Sequence, residues 1–499
     1  MTYEEYIQYD AVALGAMMRE KTISPTEVLE AAIARAEAVN GNINAIIYKM
    51  YDTARKQLLT LPLDSVLAGV PFLVKDLELS IAGHPLSSGS RCHRQYVPAV
   101  SSYLVEKMLA AGLLIMGKTN TPEMGLTPYT EPELHGPTLN PWNREYSAGG
   151  SSGGSGAAVA AGITPIASAS DGGGSIRIPA SCCGLVGLKP SRGRTTLGPF
   201  YGAPWNGAVN NLCLSRTVRD TAAYLDIAQG NHEGDPYFIQ KPQGSYLEDH
   251  RKDPGSLTIA WSKKHSFGGE VHPECIKGLE KTVALLQQLG HNTVEVNLPW
   301  SAEAITYAFF TMVVGETAAE VEYMSRLKGQ KPRIADFELN TWLMYKLGCV
   351  ISSREAALAR REWNTLSRTI ADFHARYDIL LTPTLSRPPI KTGELQNKPA
   401  ENTLLKLGTG LGLIKWLKNS SLTETLARRS FDYIPFTPIQ NMTGQPSMSL
   451  PLHTTPDGLP VGMMFSGAMC REDLLLRLAH QIEATVHWKS RWQLPTSAS

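Results

Sequence analysis

The sequence is short of the features that most directly announce a chemistry. Its seven cysteines (Cys92, Cys182, Cys183, Cys213, Cys275, Cys349 and Cys470) are odd in number and thinly spread over 499 residues. That argues against a disulfide framework and for a reducing compartment. No two of the twelve histidines stand three to five residues apart, and no cysteine pair has zinc-ribbon spacing. A local metal motif is therefore absent, and neither metal nor other cofactor is expected. Charge of one sign is not in excess either: 47 Lys and Arg oppose 46 Asp and Glu, a net of +1. Nothing in that balance draws nucleic acid or an acidic membrane, and a small neutral substrate fits better. The uncharged stretch from Gly156 to Ser170 is mostly Ala, Gly and Ser with one Pro, too short and too weakly apolar for a membrane span. Met1-Thr2-Tyr3-Glu4-Glu5 has no basic segment followed by an apolar one, so a cytoplasmic protein is expected.

What is present reads as α/β. Ser24-Pro25-Thr26-Glu27 is a capping box with proline at the first helical position, and Val28, Leu29, Ala32, Ile33 and Ala36 follow at helical spacing. Short apolar runs at 68–74, 113–116, 257–261, 293–296, 378–381, 447–450 and 462–465 read as strands, with a helical run at 103–111 between the first two. Strand, helix, strand is the α/β signature. The region 302–377 reads as nearly continuous helix, a layer covering the sheet. No repeat or long linker marks a boundary. The whole chain, 1–499, is read as one domain: a helical segment 1–60, a core 61–300, a mostly helical covering region 301–430, and a return to the core at 431–499. Within 404–418, Lys406 and Lys415 are nine positions apart and Gly408, Gly410 and Gly412 interrupt. At about 100° per residue the two charges fall on opposite sides of a helix, which disfavours a membrane-lying one. A mobile surface or pocket-covering segment is expected there.

Two glycine-serine runs stand out: Gly149-Gly150-Ser151-Ser152-Gly153-Gly154-Ser155-Gly156, and Asp171-Gly172-Gly173-Gly174-Ser175-Ile176-Arg177. Glycine serves where φ is positive or where another group must approach the backbone, so the runs imply a site lined by main-chain N–H groups and serine hydroxyls. Hydrolysis of an amide or ester needs a nucleophile, a base and donors aimed at the developing oxyanion. The N–H groups of Gly172, Gly173, Gly174 and Ser175 are placed to form an anion-binding nest, with Ser175 at its end. Gly149 to Gly153 fits the G-x-S-x-G elbow of Ser-His-Asp hydrolases, but Pro141 to Ser147 leads in as a loop where that elbow needs an apolar strand. A phosphate-binding G-x-x-x-x-G-K-[ST] is absent.

The chain resembles the amidase signature family along nearly its full length. The resemblance lies in Gly69 to Asp76, Gly117 to Glu123, Asn140 to Asn143, the run from Gly149, Gly173 to Pro179, Cys183 to Pro190, and Thr443-Gly444-Gln445-Pro446. It implies a large twisted mixed sheet with helices on both faces, and a Ser–cis-Ser–Lys triad working through an acyl-enzyme. Ser175 corresponds to the nucleophile, Ser151 to the bridging serine after a cis peptide bond from Gly150, and Lys75 to the base. A lysine with an ordinary pKa near ~10.4 is a base at neutral pH only if burial without a nearby carboxylate disfavours its charge. Lys75 ends an apolar strand, and Asp76 points to the other face. Asp171 and Arg177 are read as a pair holding the nest, Ser152 and Ser170 as supporting hydroxyls, and Cys182-Cys183 as packed thiols. Ser170 stands where the family commonly has threonine, and Gly172 where a larger residue is usual. The implied activity is hydrolysis of a small linear or cyclic carboxamide, with esters as side substrates, in a branch near the 6-aminohexanoate cyclic-dimer hydrolases. A glutaminase subunit of a tRNA-dependent amidotransferase is the alternative. Homodimers are common in the family, though no apolar stripe here marks an interface.

Overall fold

The computed structural model describes residues 1–410, 412–418 and 420–488. Its strands are β1 (Ile46–Lys49), β2 (Pro71–Lys75), β3 (Leu114–Thr119), β4 (Leu139–Asn140), β5 (Asn143–Ser147), β6 (Ile166–Asp171), β7 (Val186–Lys189), β8 (Asn210–Ser215), β9 (Thr258–Trp261), β10 (Asn292–Glu295), β11 (Ile379–Pro383), β12 (Ser447–Thr454) and β13 (Pro460–Gly467). Eleven form one sheet in the order β1-β3-β2-β6-β8-β7-β12-β13-β11-β9-β10, while β4 and β5 pair apart. The sheet is mixed. β3, β2 and β6 run parallel, β6 to β11 alternate antiparallel, and β9 and β10 run parallel to β11.

Every residue of β2, Pro-Phe-Leu-Val-Lys, is buried, as a parallel strand covered on both faces requires. Phe72 pairs with Ile166 and Leu73 with Ala167, so the carboxyl ends of β2 and β6 emerge side by side. That register brings Lys75 next to Ser170 and Asp171 although some 95 positions separate them in sequence. Ser168 Oγ accepts the Lys75 amide at 2.8 Å, which ties the two strand ends together.

The capping box forms as the sequence indicates: Ser24 and Glu27 exchange both bonds, Pro25 opens the helix, and Pro25–Ile43 is helical. Helices Ala302–Leu327, Leu339–Gly348 and Ser353–His374 make the expected layer, with a core of its own that includes Phe309, Met312, Trp363, Ile370 and Phe431. The seven strands read from apolar runs are present. Missing from that reading are β1 and the polar or small-residue strands β4 to β8. β6, Ile-Ala-Ser-Ala-Ser-Asp, is fully buried without being apolar, because Lys75 donates to its serine hydroxyls and Ser152 and Ser155 bond its backbone.

Residues 404–410 lie in helix Pro399–Gly410 and 414–418 form helix Ile414–Lys418, while 411 lies outside the described residues. Leu405 and Ile414 are buried and Leu404, Leu407 and Leu413 exposed, while Lys406 lines a cavity over the sheet. Among the described residues, no helix is long and apolar enough to cross a membrane.

Candidate active site

Lys75, at the end of β2, is wholly buried. Its Nζ donates to Ser151 Oγ at 2.7 Å and to Ser170 Oγ at 2.9 Å. Ser151 follows a cis Gly150–Ser151 peptide bond and precedes the helix Gly153–Ala160. The glycines of this run are explained by close packing more than by exposed backbone, against the sequence reading. A Cβ on Gly154 would lie 2.3 Å from the Asn120 amide nitrogen, so only glycine lets that helix start against the loop after β3. Ser152 is buried beneath the site; its Oγ donates to the Ser170 carbonyl at 3.2 Å and accepts the Ser170 amide at 3.3 Å. It caps no helical N–H and fixes the backbone that carries Ser170.

Asp171 ends β6 and is the centre of a second network. Its Oδ2 accepts from Arg177 Nε (2.9 Å) and the Ile176 amide (3.1 Å), and its Oδ1 from Arg177 Nη2 (3.0 Å), Asn441 Nδ2 (2.8 Å) and the Gly174 amide (2.6 Å). Burial pushes this carboxyl up, but the Arg177 guanidinium, with Lys189 and Asn441, more than offsets that and holds it at about 2. The loop 172–176 is thus wrapped around an ionised carboxylate. One part of the sequence-derived nest needs correcting. Gly174 spends its N–H on Asp171 and is not available to a ligand. The amides of Gly172, Gly173 and Ser175 have no acceptor among the described residues, so the donor set narrows to those three. Gly174 keeps its place for a different reason: its φ is +131°, and a Cβ would lie 2.4 Å from Thr437 Oγ1. Thr437 Oγ1 also donates to the Gly173 carbonyl at 2.7 Å.

Ser175 faces a cavity of about 390 Å³ lined also by Ser151, Ser170, Gly172 and Gly173, with walls from Trp205, Phe309, Met344 and Phe431. No hydrogen bond joins Ser175 Oγ to Ser151 Oγ, an arrangement common before substrate draws such groups together. Asp76 is engaged elsewhere, by Lys118 Nζ at 2.8 Å and by the Ser87 amide at 3.0 Å, so it leaves Lys75 alone.

The sequence reading required no carboxylate near Lys75, and this too is corrected: Glu78, three residues on, lines the same cavity. Burial lowers the Lys75 pKa, while Glu78 and then Asp171 push it back up; burial wins. Glu78 itself is raised, by burial first, with Lys75 opposing. Glu78 has φ +63°, and no local pattern in the sequence flagged it. Asn441, whose Nδ2 also donates to the Asp171 carbonyl at 2.9 Å, was missed as well, although it stands two residues before the matched Thr443-Gly444-Gln445-Pro446. Cys182 and Cys183 are buried, their thiols pushed up by burial. Among the described residues, no group of His, Cys, Asp and Glu is arranged to hold a metal ion.

Residues 27–476 match the model of the Amidase family. The chain belongs to the amidase signature family. It is an amide hydrolase, 37% identical over 494 residues to a 6-aminohexanoate-cyclic-dimer hydrolase of Paenarthrobacter ureafaciens, covering 97% of this chain and 96% of that one. An acylamidase of Rhodococcus erythropolis is 33% identical over 507 residues, with 98% of each chain covered. A solved structure of 6-aminohexanoate cyclic dimer hydrolase complexed with substrate superposes with a TM-score of 0.87 at 35% identity, covering 98% of this amidase and all of that chain.

Proposed function

We propose that this amidase cleaves the carbon–nitrogen bond of a small linear or cyclic carboxamide through Ser175, Ser151 and Lys75. The observation that carries the reading is the 2.7 Å contact between a fully buried lysine and the serine of a Gly-Ser loop beside Ser175. In this mechanism neutral Lys75 accepts the Ser151 proton as Ser151 accepts that of Ser175. Ser175 Oγ bonds to the substrate carbonyl carbon, and the C=O electron pair moves onto oxygen. The amides of Gly172, Gly173 and Ser175 receive that oxyanion; one such donor is typically worth about 3–4 kcal/mol of barrier. The proton returns from Lys75 through Ser151 to the leaving nitrogen, the C–N bond breaks, and an ester to Ser175 remains. Water repeats the sequence, giving the carboxylic acid and free Ser175. Relatives named for 6-aminohexanoate cyclic dimer make cyclic and linear oligoamides the first substrates to assay.

The test is covalent labelling by a fluorophosphonate. The wild-type protein should be labelled stoichiometrically and Ser175→Ala not at all, with labelling of Lys75→Ala slowed at least 100-fold. Full labelling of folded Ser175→Ala overturns the nucleophile, and unchanged labelling of Lys75→Ala overturns the base.

A further inference from the structure

Among the described residues that line the cavity, Glu78 is the acidic side chain that keeps a buried oxygen without a hydrogen-bond donor. The other carboxylates of the cavity wall have work to do. Glu123 accepts from Ser90 Oγ (2.7 Å) and the Glu338 amide (2.7 Å), Glu131 from the Gly393 amide (3.1 Å) and Gln396 (2.7 Å), and Glu338 from the Glu133 amide (2.7 Å). Glu133 pairs with Arg91. Glu78, by contrast, has side-chain hydrogen bonds to Asn211 and Ser170 but keeps one oxygen, Oε2, buried and without a donor among the described residues. Lys75 is its nearby cation, but the Lys75 Nζ bonds run to Ser151 and Ser170. The other charged neighbour is Glu320, which repels and whose own carboxylate accepts from Tyr201 Oη at 3.0 Å.

The backbone adds a second observation. Glu78 has φ +63°, the left-handed region that side chains other than Gly, Asn and Asp seldom adopt. Strain of this kind persists where the surroundings demand it and clusters at ligand-binding sites. A buried carboxylate oxygen without a donor adds a desolvation penalty of its own. Both unfavourable features sit at the wall of the cavity.

We infer that Glu78 is a specificity-determining residue that binds a protonated amino group of the substrate, so that this amidase prefers amides carrying an ammonium group apart from the scissile bond. The inference rests on the proposed amide hydrolysis and departs from the neutral substrate that the overall charge balance indicates. It also couples binding to chemistry. The Glu78 charge favours the useless cationic form of Lys75; an ammonium seated on Glu78 cancels that charge and adds a like charge nearby, and both effects favour the neutral base.

The experiment compares p-nitroanilides of ω-amino acids of three to eight carbons, and N-(ω-aminoalkyl) benzamides of similar reach, each against the isostere with methyl in place of ammonium. The same amino and methyl pairs are measured by calorimetry for binding to Ser175→Ala. One charge-assisted bond supplies about 1.5–3 kcal/mol, so at least one amino compound should exceed its methyl isostere tenfold or more in kcat/KM and in affinity. That ratio should collapse to within threefold in Glu78→Gln, and also in Glu78→Gly, where glycine suits the backbone and a folding defect is not expected. A wild-type protein with no such preference, or a preference that survives both variants, overturns the inference. An equal loss on both members of each pair assigns Glu78 to positioning Lys75 and also overturns it. Failure of the amidase reading is separate: no anilide is turned over and no fluorophosphonate reacts, while the calorimetric ratio still reports on Glu78.

Discussion

Replacing Asp171 by asparagine tests whether the nucleophile loop is held by a charge. The carboxylate accepts five donors: two on Oδ2, from Arg177 Nε and the Ile176 amide, and three on Oδ1, from Arg177 Nη2, Asn441 Nδ2 and the Gly174 amide. An asparagine has the same shape but one oxygen. With its NH2 toward Arg177 Nε and Ile176, two donors face a donor; turned over, three do. Hydrogen bonds to a charged group are worth about 1.5–3 kcal/mol each. Breaking a buried ion pair from one side costs about 3–5 kcal/mol because the other charge stays behind. Arg177 is wholly buried; it keeps Gln440 Oε1 at 3.1 Å and Asn441 Oδ1 at 2.6 Å, neutral acceptors that do not balance its charge. The expected loss is therefore about 3–5 kcal/mol, a large part of a typical folding free energy of about 5–15 kcal/mol. Urea denaturation followed by tryptophan fluorescence measures it. Because Gly174 and Ile176 flank Ser175, the folded fraction should also lose turnover by about 100-fold or more, measured as labelling rate per folded molecule. An Asp171→Asn protein within about 1 kcal/mol of wild type, with turnover within tenfold, would refute the idea that this carboxylate organises the loop.

The same carboxyl gives a pH prediction: its folded pKa of about 2 lies below the ordinary 3.8, so its contribution is present above pH ~4 and lost as pH falls from there toward 2, roughly 2 kcal/mol in acid denaturation curves; a denaturation midpoint flat over that window contradicts it. Lys75 must be neutral to act, and with its pKa brought down to about 7 the rate on a neutral anilide should rise with pH through that value. In Glu78→Gln the negative charge that favours the ammonium is gone, so that acid limb should move to lower pH; an upward or absent shift counts against the electrostatic assignment. Gly174→Ala places a methyl 2.4 Å from Thr437 Oγ1 at φ +131°, whereas the methyl of Gly172→Ala meets Trp205 and Val209 at 3.3 Å. The first should destabilise by about 2 kcal/mol or more and the second by clearly less, as thermal unfolding of the pair would show.

The legibility of this protein followed its chemistry residue by residue. β2 and β3 announced themselves because each opens on an apolar run, Pro-Phe-Leu-Val and Leu-Ile-Met, and the Ser24 to Glu27 box because capping uses fixed spacing. β6 carries the site and was invisible, since Ile-Ala-Ser-Ala-Ser-Asp has neither alternation nor a hydrophobic run; its Ser168 and Ser170 hydroxyls accept from Lys75, and Ser152 and Ser155 bond its backbone. The Gly174 amide was misassigned for a related reason. A glycine run tells that something approaches the backbone, and here the approaching groups are the Asp171 carboxylate and Thr437, both from the protein itself. Glu78 left no trace because a lone glutamate three positions after a lysine reads as surface charge; only the left-handed turn folds it back over the cavity.

That turn bears on how a lysine can serve as base at all. Burial at the end of β2 removes the water that would stabilise an ammonium, and Asp171, the stronger anion by its low pKa, is neutralised by Arg177 at 2.9 Å. The larger of the two anionic influences on Lys75 is therefore that of Glu78, with Asp171 second. That influence, switched by whatever seats on Glu78, biases Lys75 between its charged and its neutral form. A substrate that brings its own positive charge then carries part of the activation of its own hydrolysis, and a neutral amide of equal reach meets a base still partly protonated.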